Sequence, residues 1–394
     1  MTRSTGRLRL VVLGMMGYAP FAGQTWLYLN WILGLRALGH DVWYVEDNAL
    51  WPYDPRAESF GSDCTYAVEH VRSCLTRIGM ERSWAYRPSP SSDTCFNLTL
   101  PELAELYRTA DAVLNIVGVT DLREEHCQAP ARVYVETDPV GAELRIANGD
   151  QKVVRLFERH TAFATYGENY GSADCGVPTN DIPFVKTRQP IDLDWWQVPS
   201  RPPGPHITTI ANYRHPPEYD VAYGGEIYRW SKHLEWVKFM DLPTRTSQTF
   251  EVALKVDDQS DREELALNGW RLVDPLPISL DPFASYRAFI GGSRAEFSVA
   301  KDQNVRLRSG WFSERDACYL ASGRPVVAQD TGFGVALPTG EGLFAVRSVD
   351  DAVHAIDKIN GDYRRHAAAA RALAEEYFDA RQVARRFLED VGLT

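Results

Sequence analysis

One stretch of the chain joins a cationic residue, glycine and a helix N-cap in an order that suits a phosphate group. Residues 308–333 read RSGWFSERDACYLASGRPVVAQDTGF. Ser313 is a good N-cap for a helix over 313–322, and the backbone N–H groups of such a helix end bind phosphate. The alternative is a well-capped helix between two strands. The residues of this segment that we predict to bind the phosphate-bearing ligand, through its phosphates or its other groups, are Arg308, Ser309, Gly310, Trp311, Ser313, Glu314 and Asp316.

Two carboxylates occupy positions that suit a general base. Asp138 directly follows a predicted buried strand, in the sequence ETDP at 136–139, and the ends of such strands collect functional residues. Glu168, in YGENY at 166–170, likewise comes shortly after a predicted strand. A carboxylate at either place suits removal of a proton from an attacking hydroxyl. Both are therefore catalytic candidates, and the alternative for Asp138 is that Asp-Pro only starts a turn.

Two cations are candidates for stabilising a departing phosphate. Lys232 lies early in a predicted helix, and Arg214 comes just after the first predicted strand of the second half. A cation at either position would face the charge that develops on the leaving group. Because lysines and arginines on helices are usually solvated, an exposed structural role is the alternative for each.

A glycine loop follows the first predicted strand and brings backbone close to a cleft. Gly14, Gly17 and Gly23 belong to this loop, which we expect on the acceptor side. The spacing of Gly14 and Gly17 is not that of the dinucleotide-binding fingerprint, and Glu46 lies too far along the chain for the usual acidic partner. The sequence therefore disfavours an NAD enzyme.

Hydrophobic periodicity predicts the elements that position these residues. Short apolar runs alternate with helical patterns, as in parallel α/β sheets. Strands are predicted at 9–13, 41–45, 112–117, 132–135, 163–166 and 184–186, then at 206–210, 249–254, 270–273, 295–299 and 325–328. Helices are predicted over 24–38, at about 228–240, from 261, over 313–322 and throughout the chain after 349. Prolines clustered between 188 and 205 mark a boundary, so the prediction is two Rossmann-like α/β domains whose parallel sheets face a cleft.

Composition narrows the function classes. The 394 residues suit two domains, and a net charge of −11 disfavours nucleic acid and anionic membranes as partners. The six cysteines are scattered without a C-x-x-C pair, which is ordinary for reduced thiols. No stretch approaches the ~20 apolar residues of a membrane span. We therefore expect a soluble, cytoplasmic protein.

Three sequence features together resemble the GT-B glycosyltransferases. They are VVLGMMG at 11–17, LGHDV at 38–42, and SGRPVV at 322–327 followed by DTG at 330–332. The combination also resembles a group of bacterial glycosyltransferase-like chains. The resemblance implies an acceptor domain over 1–190, a nucleotide-sugar donor domain over 191–375, and a terminal helix over 376–394 that packs back on the first domain. By the same resemblance, Asp330, Thr331 and Gly332 would contact the donor sugar, or else form only a turn.

The resemblance implies a nucleotide-sugar as donor substrate, no cofactor, and a small-molecule or glycan acceptor. We expect metal-independent transfer, because the only D-x-D spacing considered, at 192–194, falls in the linker. One departure is Cys318, which stands where many such enzymes have a glutamate for the ribose hydroxyls; Glu314 and Asp316 are candidate substitutes. A nucleotide-sugar epimerase or phosphorylase on the same scaffold remains an alternative, as does a non-catalytic nucleotide- or sugar-binding protein.

Overall fold

A parallel sheet forms the centre of the first half of the chain, because its strands are buried apolar runs separated by helices. The computed structural model describes residues 6–394; residues 1–5 of the expected first domain lie outside it. The strands are β1 (Arg9–Leu13), β2 (Asp41–Glu46), β3 (Tyr53–Asp54), β4 (Ser59–Phe60), β5 (Trp84–Tyr86), β6 (Ala112–Ile116), β7 (Ala131–Glu136), β8 (Ala162–Thr165) and β9 (Phe184–Lys186). Seven of them form one parallel sheet in the order β5-β2-β1-β6-β7-β8-β9. The remaining two, β3 and β4, form a separate antiparallel hairpin.

The second half contains its own parallel sheet. Its strands are β10 (His206–Asn212), β11 (Val221–Tyr223), β12 (Glu226–Tyr228), β13 (Thr249–Lys255), β14 (Trp270–Leu272), β15 (Ala295–Ser298), β16 (Val326–Gln329) and β17 (Leu343–Val346). Six of these form a parallel sheet in the order β14-β13-β10-β15-β16-β17. The predicted fold class, two parallel α/β sheets, is therefore confirmed.

Helices connect the strands in both halves. In the first half they are α1 (Ala22–Ala37), α2 (Thr65–Arg77), α3 (Leu100–Thr109), α4 (Gly141–Ala147) and α5 (Gln151–Glu158). The second half has α6 (His233–Val237), α7 (Gln259–Leu267), α8 (Leu276–Ser279), α9 (Ser285–Gly292), α10 (Asp302–Arg306), α11 (Glu314–Ala321), α12 (Val349–Gly361), α13 (Tyr363–Leu373) and α14 (Ala380–Asp390). Single 3₁₀ turns lie at His126–Gln128, Pro217–Tyr219, Leu242–Thr244 and Phe333–Val335. A short π-helix at Ala374–Phe378 separates α13 from α14. Among residues 6–394, no helix is both long and apolar enough to cross a membrane.

The predicted helix at about 228–240 is present only as the short α6, His233–Val237. The antiparallel pair β11–β12 comes just before it and ends at Tyr228. Gly224 and Gly225, with φ of 60° and 85°, make the two-residue turn between these strands. Two left-handed residues favour such a hairpin turn, so a strand ends at the residue where the helix was expected to begin.

The last helix returns to the first half. The ring of Phe387 on α14 packs edge-on against that of Trp31 on α1, with centroids 4.8 Å apart. Beside it, the linker and the segment before α14 exchange backbone hydrogen bonds: Ile191 donates to the carbonyl of Phe378 (2.7 Å) and accepts from the N–H of Ala380 (3.0 Å). Helix α1 is consequently buried nearly all round. The exact domain limits stay a prediction.

Candidate functional site

A cavity of about 1110 Å³ lies between the two halves and is lined by both. Strand ends, the β3–β4 hairpin and the start of α1 supply the wall of the first half: Tyr18, Ala19, Phe21, Gly23, Gln24, Trp26, Leu27, Tyr53, Glu58, Phe60, Thr137, Asp138 and Tyr166. The wall of the second half includes Asn212, His215, Lys255, Asp257, Arg262, Asp274, Tyr286, Trp311, Ser313, Glu314, Arg315 and Cys318. This cavity is the candidate functional site, since ligands of parallel sheets bind beyond the carboxyl ends of the strands.

Asp138 lies in this cavity, two residues after β7. Its Oδ2 accepts a hydrogen bond from the ammonium of Lys301, which follows β15 in the other half. The side chain of Asp138 is 28% exposed, whereas Lys301 is buried and lies 3.2 Å above the centre of the Trp230 ring. The second oxygen, Oδ1, is buried and has no hydrogen-bond partner among the described residues. Asp138 therefore offers a free acceptor atom to a ligand in the cavity.

Three basic side chains of the second half cluster near Asp138. Burial lowers the pKa of Lys301, and the Asp138 carboxylate opposes that shift. Burial, and next the guanidinium of Arg315, lowers the pKa of Lys232 to about 7. Burial, and then the charges of Lys301 and Lys232, lowers the pKa of His215 to about 4, so this imidazole is neutral at pH 7. Such a group of desolvated bases suits an anionic ligand, whose charge would restore the protonated forms.

The start of α11 faces the same cavity. Ser313, Glu314 and Arg315 all line it, and the first-turn N–H groups of a helix have no intrahelical acceptor. Burial raises the pKa of Glu314 to about 8, and a hydrogen bond from Asn30 Nδ2 (3.0 Å) opposes that shift. Arg315 is held by Glu296 and by the carbonyl of Ile210 (2.8 Å). The predicted phosphate-binding helix end is thus present and open to the cavity.

The segment just before α11 is held mainly by structural contacts. Trp311 lines the cavity and donates from Nε1 to the carbonyl of Thr137 (3.0 Å), which joins the two halves. Gly310 has a φ of 81°, and a Cβ there would overlap the backbone of Asn169 from the first half. Ser309 is buried and donates to Oδ1 of Asn304 (2.7 Å). Ser309 and Gly310 therefore shape the site without lining it.

Several predicted donor-binding residues lie outside the cavity lining. Arg308 pairs with Asp174 and with Asp330, and Asp330 also pairs with Arg347 (2.7 Å). Thr331 donates from Oγ1 to the carbonyl of Trp311 (2.5 Å). Gly332 has a φ of 94° and begins a 3₁₀ turn. Asp316 forms an ion pair with Arg315. Arg214 forms an ion pair with Asp261. In this structure these residues support the loops around the cavity.

Glu168, the second predicted base, also lies away from the cavity lining. It forms a mostly buried ion pair with Arg188, whose guanidinium lies 5.4 Å from the Tyr377 ring centre. Burial raises the pKa of Glu168, and Arg188 opposes that shift. Strands β8 and β9 run side by side, so residues just beyond their ends meet each other. This contact engages the carboxylate in packing between the halves.

The glycine loop divides into two parts. Gly23 lines the cavity, whereas Gly14 packs against Tyr44 and Gly17 against Ala67 and Tyr86. The buried carboxylate of Glu46 accepts hydrogen bonds from the N–H groups of Gly17 (2.7 Å) and Tyr18 (2.6 Å), and burial raises its pKa to about 7. Glu46 therefore fixes the loop and, as the sequence indicated, has no place in a dinucleotide fingerprint.

One carboxylate–imidazole group invites comparison with a metal site. Asp47, Glu125 and His126 are the single such group found within residues 6–394. The N–H of Arg123 donates to Nδ1 of His126 (2.9 Å), so in the neutral ring Nε2 carries the proton and faces Asp47 Oδ2 at 3.6 Å. The guanidinium of Arg123 contacts the same carboxylate oxygen (2.5 Å). A protonated nitrogen and a guanidinium do not fit a cation, so we interpret the group as a buried ion pair.

Sequence reasoning missed His215, Lys301 and Arg315. His215 follows β10 and Lys301 follows β15, both at carboxyl ends of strands. The rule that selected Asp138 would also have selected these two. Arg315 lies on α11 beside two residues that were chosen, and only its burial distinguishes it from a solvated arginine.

The overall architecture matches that of solved glycosyltransferases. No family model matches the sequence, and no curated protein matches it. HepE from Anabaena, solved with UDP and glucose, has a TM-score of 0.59 at 12% identity over 98% of this chain and 100% of HepE. AviGT4, a glycosyltransferase involved in avilamycin A biosynthesis, has a TM-score of 0.55 at 13% identity over 98% of this chain and 97% of AviGT4. An alpha-glucosyltransferase in complex with UDP-glucose and DNA has a TM-score of 0.58 at 9% identity over 98% of this chain and 100% of that protein. The protein therefore has the GT-B fold.

Proposed function

We propose that this protein is a glycosyltransferase that uses a nucleotide-sugar donor. The observation that carries the proposal is the arrangement in the cavity between the halves. There the open start of α11, with Arg315, lines the cavity together with a carboxylate, Asp138, that has an unpartnered oxygen. Two buried cations lie just outside the lining: Lys301 pairs with Asp138, and Lys232 lies 5.7 Å from the ring centre of Trp311. This arrangement combines an anion-binding side with a base, which is what sugar transfer from a nucleoside diphosphate requires.

In the proposed reaction the diphosphate lies against the start of α11 and the three cations. The bond between the anomeric carbon and the diphosphate oxygen breaks, and a bond to the acceptor oxygen forms. The negative charge that develops on the departing nucleotide is stabilised by the helix N–H groups and the ammonium of Lys232. Asp138 accepts the proton of the acceptor hydroxyl if the transfer inverts the anomeric centre; a retaining transfer depends mainly on the leaving-group side. The proposal uses no metal, because protein cations neutralise the diphosphate.

Glu314 is the proposed partner for donor hydroxyl groups. Cys318 lines the cavity but is a poor acceptor, and burial holds its pKa well above the ordinary value, so it stays a thiol. Of the two candidate substitutes, Asp316 is paired with Arg315 whereas Glu314 lines the cavity. A carboxyl group with a pKa of about 8 is protonated at neutral pH, and can both donate to and accept from a hydroxyl.

UDP is the first nucleotide to test, because HepE and the alpha-glucosyltransferase were solved with UDP or UDP-glucose. We further propose that the acceptor is not nucleic acid, although that alpha-glucosyltransferase was solved with DNA. The net charge of −11 opposes binding of a polyanion.

The test is a melting-temperature series with UDP, dTDP, GDP and ADP at about millimolar concentration, with and without EDTA. A nucleotide present at ~100 times its dissociation constant stabilises a protein by about 2.7 kcal/mol. We expect one nucleotide to stabilise the protein and EDTA to leave the shift unchanged. No shift with any nucleotide would contradict the proposed donor site.

Incubation with the matching nucleotide-sugar then separates the rival functions. Release of nucleotide that depends on an added acceptor supports transfer. Conversion of the donor to a different sugar without acceptor indicates an epimerase, and nucleotide binding without any turnover indicates a binding protein.

A further inference from the structure

Four aromatic side chains form one surface of the cavity on the side of the first half. Tyr18 and Phe21 belong to the glycine loop, and Tyr53 and Phe60 belong to the β3–β4 hairpin. Their ring centroids are 5.5 Å apart for Tyr18–Phe60, 5.5 Å for Phe21–Tyr53 and 5.2 Å for Tyr53–Phe60. We call these four residues the aromatic wall.

The aromatic wall is held in place although it lies at the surface. The N–H of Tyr53 donates to the carbonyl of Tyr18 (3.0 Å), and the N–H of Gly61 donates to that of Pro52 (3.1 Å). The first bond fixes the hairpin on the glycine loop, and the second closes the base of the hairpin. Phe60 is nevertheless 57% exposed. Exposure of a large apolar ring inside a ligand cavity is typical of a binding surface, because a bound apolar group would cover it.

The size of the cavity allows two substrates. Single small-molecule sites usually measure roughly 300–1000 Å³, and this cavity measures about 1110 Å³. The wall of the second half carries the charged groups that suit a nucleotide. Beyond Thr137 and Asp138, the polar side chains that the described residues of the first half add to this wall are the tyrosine hydroxyls, Gln24, Glu58 and the indole of Trp26, whose N–H already donates to the carbonyl of Pro282. Oε1 of Gln24 is buried and has no hydrogen-bond partner among the described residues.

We infer that the acceptor is an alcohol or phenol with a flat, apolar ring system, and that its rings stack on the aromatic wall. This inference rests on the proposed transferase function and specifies its acceptor. Offset or tilted stacking on Tyr and Phe rings favours a planar apolar partner. A glycan would need many hydrogen-bonding side chains, and this wall has few. The unpartnered Oε1 of Gln24 accepts a hydrogen bond from a hydroxyl on the ring system.

The experiment compares binding of 2-naphthol and maltose by saturation-transfer NMR and titration, in the absence and presence of UDP. Wild-type protein should bind 2-naphthol and not maltose. Phe60→Ala should weaken 2-naphthol binding by about tenfold, while the UDP-induced melting shift stays unchanged. Because Phe60 is largely exposed, the variant should melt close to the wild type. Val335→Ala is the matched control, since Val335 is 58% exposed and does not line the cavity.

The outcomes separate the two claims. Binding of maltose in preference to 2-naphthol, or equal 2-naphthol affinity in wild type and Phe60→Ala, would overturn the aromatic acceptor and leave the nucleotide site intact. Retained 2-naphthol binding with no response to any nucleotide would instead contradict the proposed transferase function.

Discussion

The two walls of the cavity differ in chemistry although both are built on parallel sheets of similar design. The wall of the first half presents aromatic rings and one reactive carboxylate, Asp138. The wall of the second half presents the start of α11 together with Arg315 and His215. In our proposal the same strand-end position serves an apolar ligand on one side and an anion on the other. The difference in lining lies in the side chains beyond the strands and not in the sheets.

The two halves also differ in the free-energy cost of the groups that they place in or near the cavity. The aromatic wall exposes apolar surface, a modest penalty that a ligand removes. In the second half Lys232 and Lys301 are buried outside the lining, and burial of a charged group is expensive unless it is paired. The lowered pKa values of both lysines express that free-energy cost. In the proposed function, an anionic ligand would relieve this unfavourable desolvation.

The largest expected effect concerns the carboxylate of the first wall. Asp138→Asn should lower transfer by ~10²–10⁴-fold in an inverting enzyme, because a general base contributes about that much. The shift of melting temperature with UDP should remain. Steady-state kinetics together with nucleotide melts measure both. Glu168→Gln is the matched control: it should lower the melting temperature, because it breaks an ion pair with Arg188, but preserve turnover per folded molecule. Equal loss of turnover in both variants would refute the assignment of Asp138.

A second prediction concerns the contact between the halves. Gly310→Ala should reduce the free energy of unfolding by about 3 kcal/mol, because its Cβ would overlap Asn169 and its φ is 81°. Gly225→Ala, at φ 85° with no atom within 4 Å, should cost only ~1 kcal/mol. Urea unfolding measures both. Similar values would mean that the packing of Gly310 on Asn169 contributes little.

The next prediction concerns UDP binding after removal of Lys232, a buried base of the second half. Lys232→Met should weaken UDP binding by roughly 10–100-fold, the value of a charge-assisted hydrogen bond. In the wild type, UDP affinity should fall as pH rises above about 7, because the free ammonium loses its proton there. Titration calorimetry from pH 6 to 9 tests this. Lys358→Met, an exposed change on α12, is the control and should behave as wild type.

The same lysine predicts a change in stability. With a folded-state pKa of about 7 and an unfolded value near ~10.4, the unfolded chain binds more protons between these values. The contribution of Lys232 to the free energy of unfolding therefore rises with pH in that window. The Lys232→Met variant should lack this rise.

The last prediction concerns how the free energy of unfolding changes with pH. Burial raises the pKa of Glu314 to about 8 from an ordinary value of 4.5. Between these values the folded state binds the extra proton, so this group's contribution to stability falls as pH rises, by at most ~1.4 kcal/mol per pH unit. Glu314→Gln should flatten that part of the pH profile in urea unfolding. Glu389→Gln, at an exposed position, should retain the wild-type slope.

The sheets could be predicted from the sequence because buried parallel strands are continuous apolar runs, and all the predicted strands appear within about two residues of their expected ends. The site could be predicted only in part. Asp138, Ser313 and Glu314 follow from strand-end and helix-cap rules. Partners are invisible both to those rules, which favour Glu168, and to the resemblance, which favours Asp330, although each of these carboxylates already binds an arginine. Burial is equally invisible, and only burial marks Arg315.

The chain passes between the two halves twice, at Ile191 and at Phe378, and the position of these two connections bears on how the halves can move. The linker and the segment before α14 pass between the halves side by side, joined by two backbone hydrogen bonds. Two connections that lie side by side can serve as a single hinge, whereas two widely separated connections would restrict rotation of one half against the other. We therefore expect the halves to swing about this point.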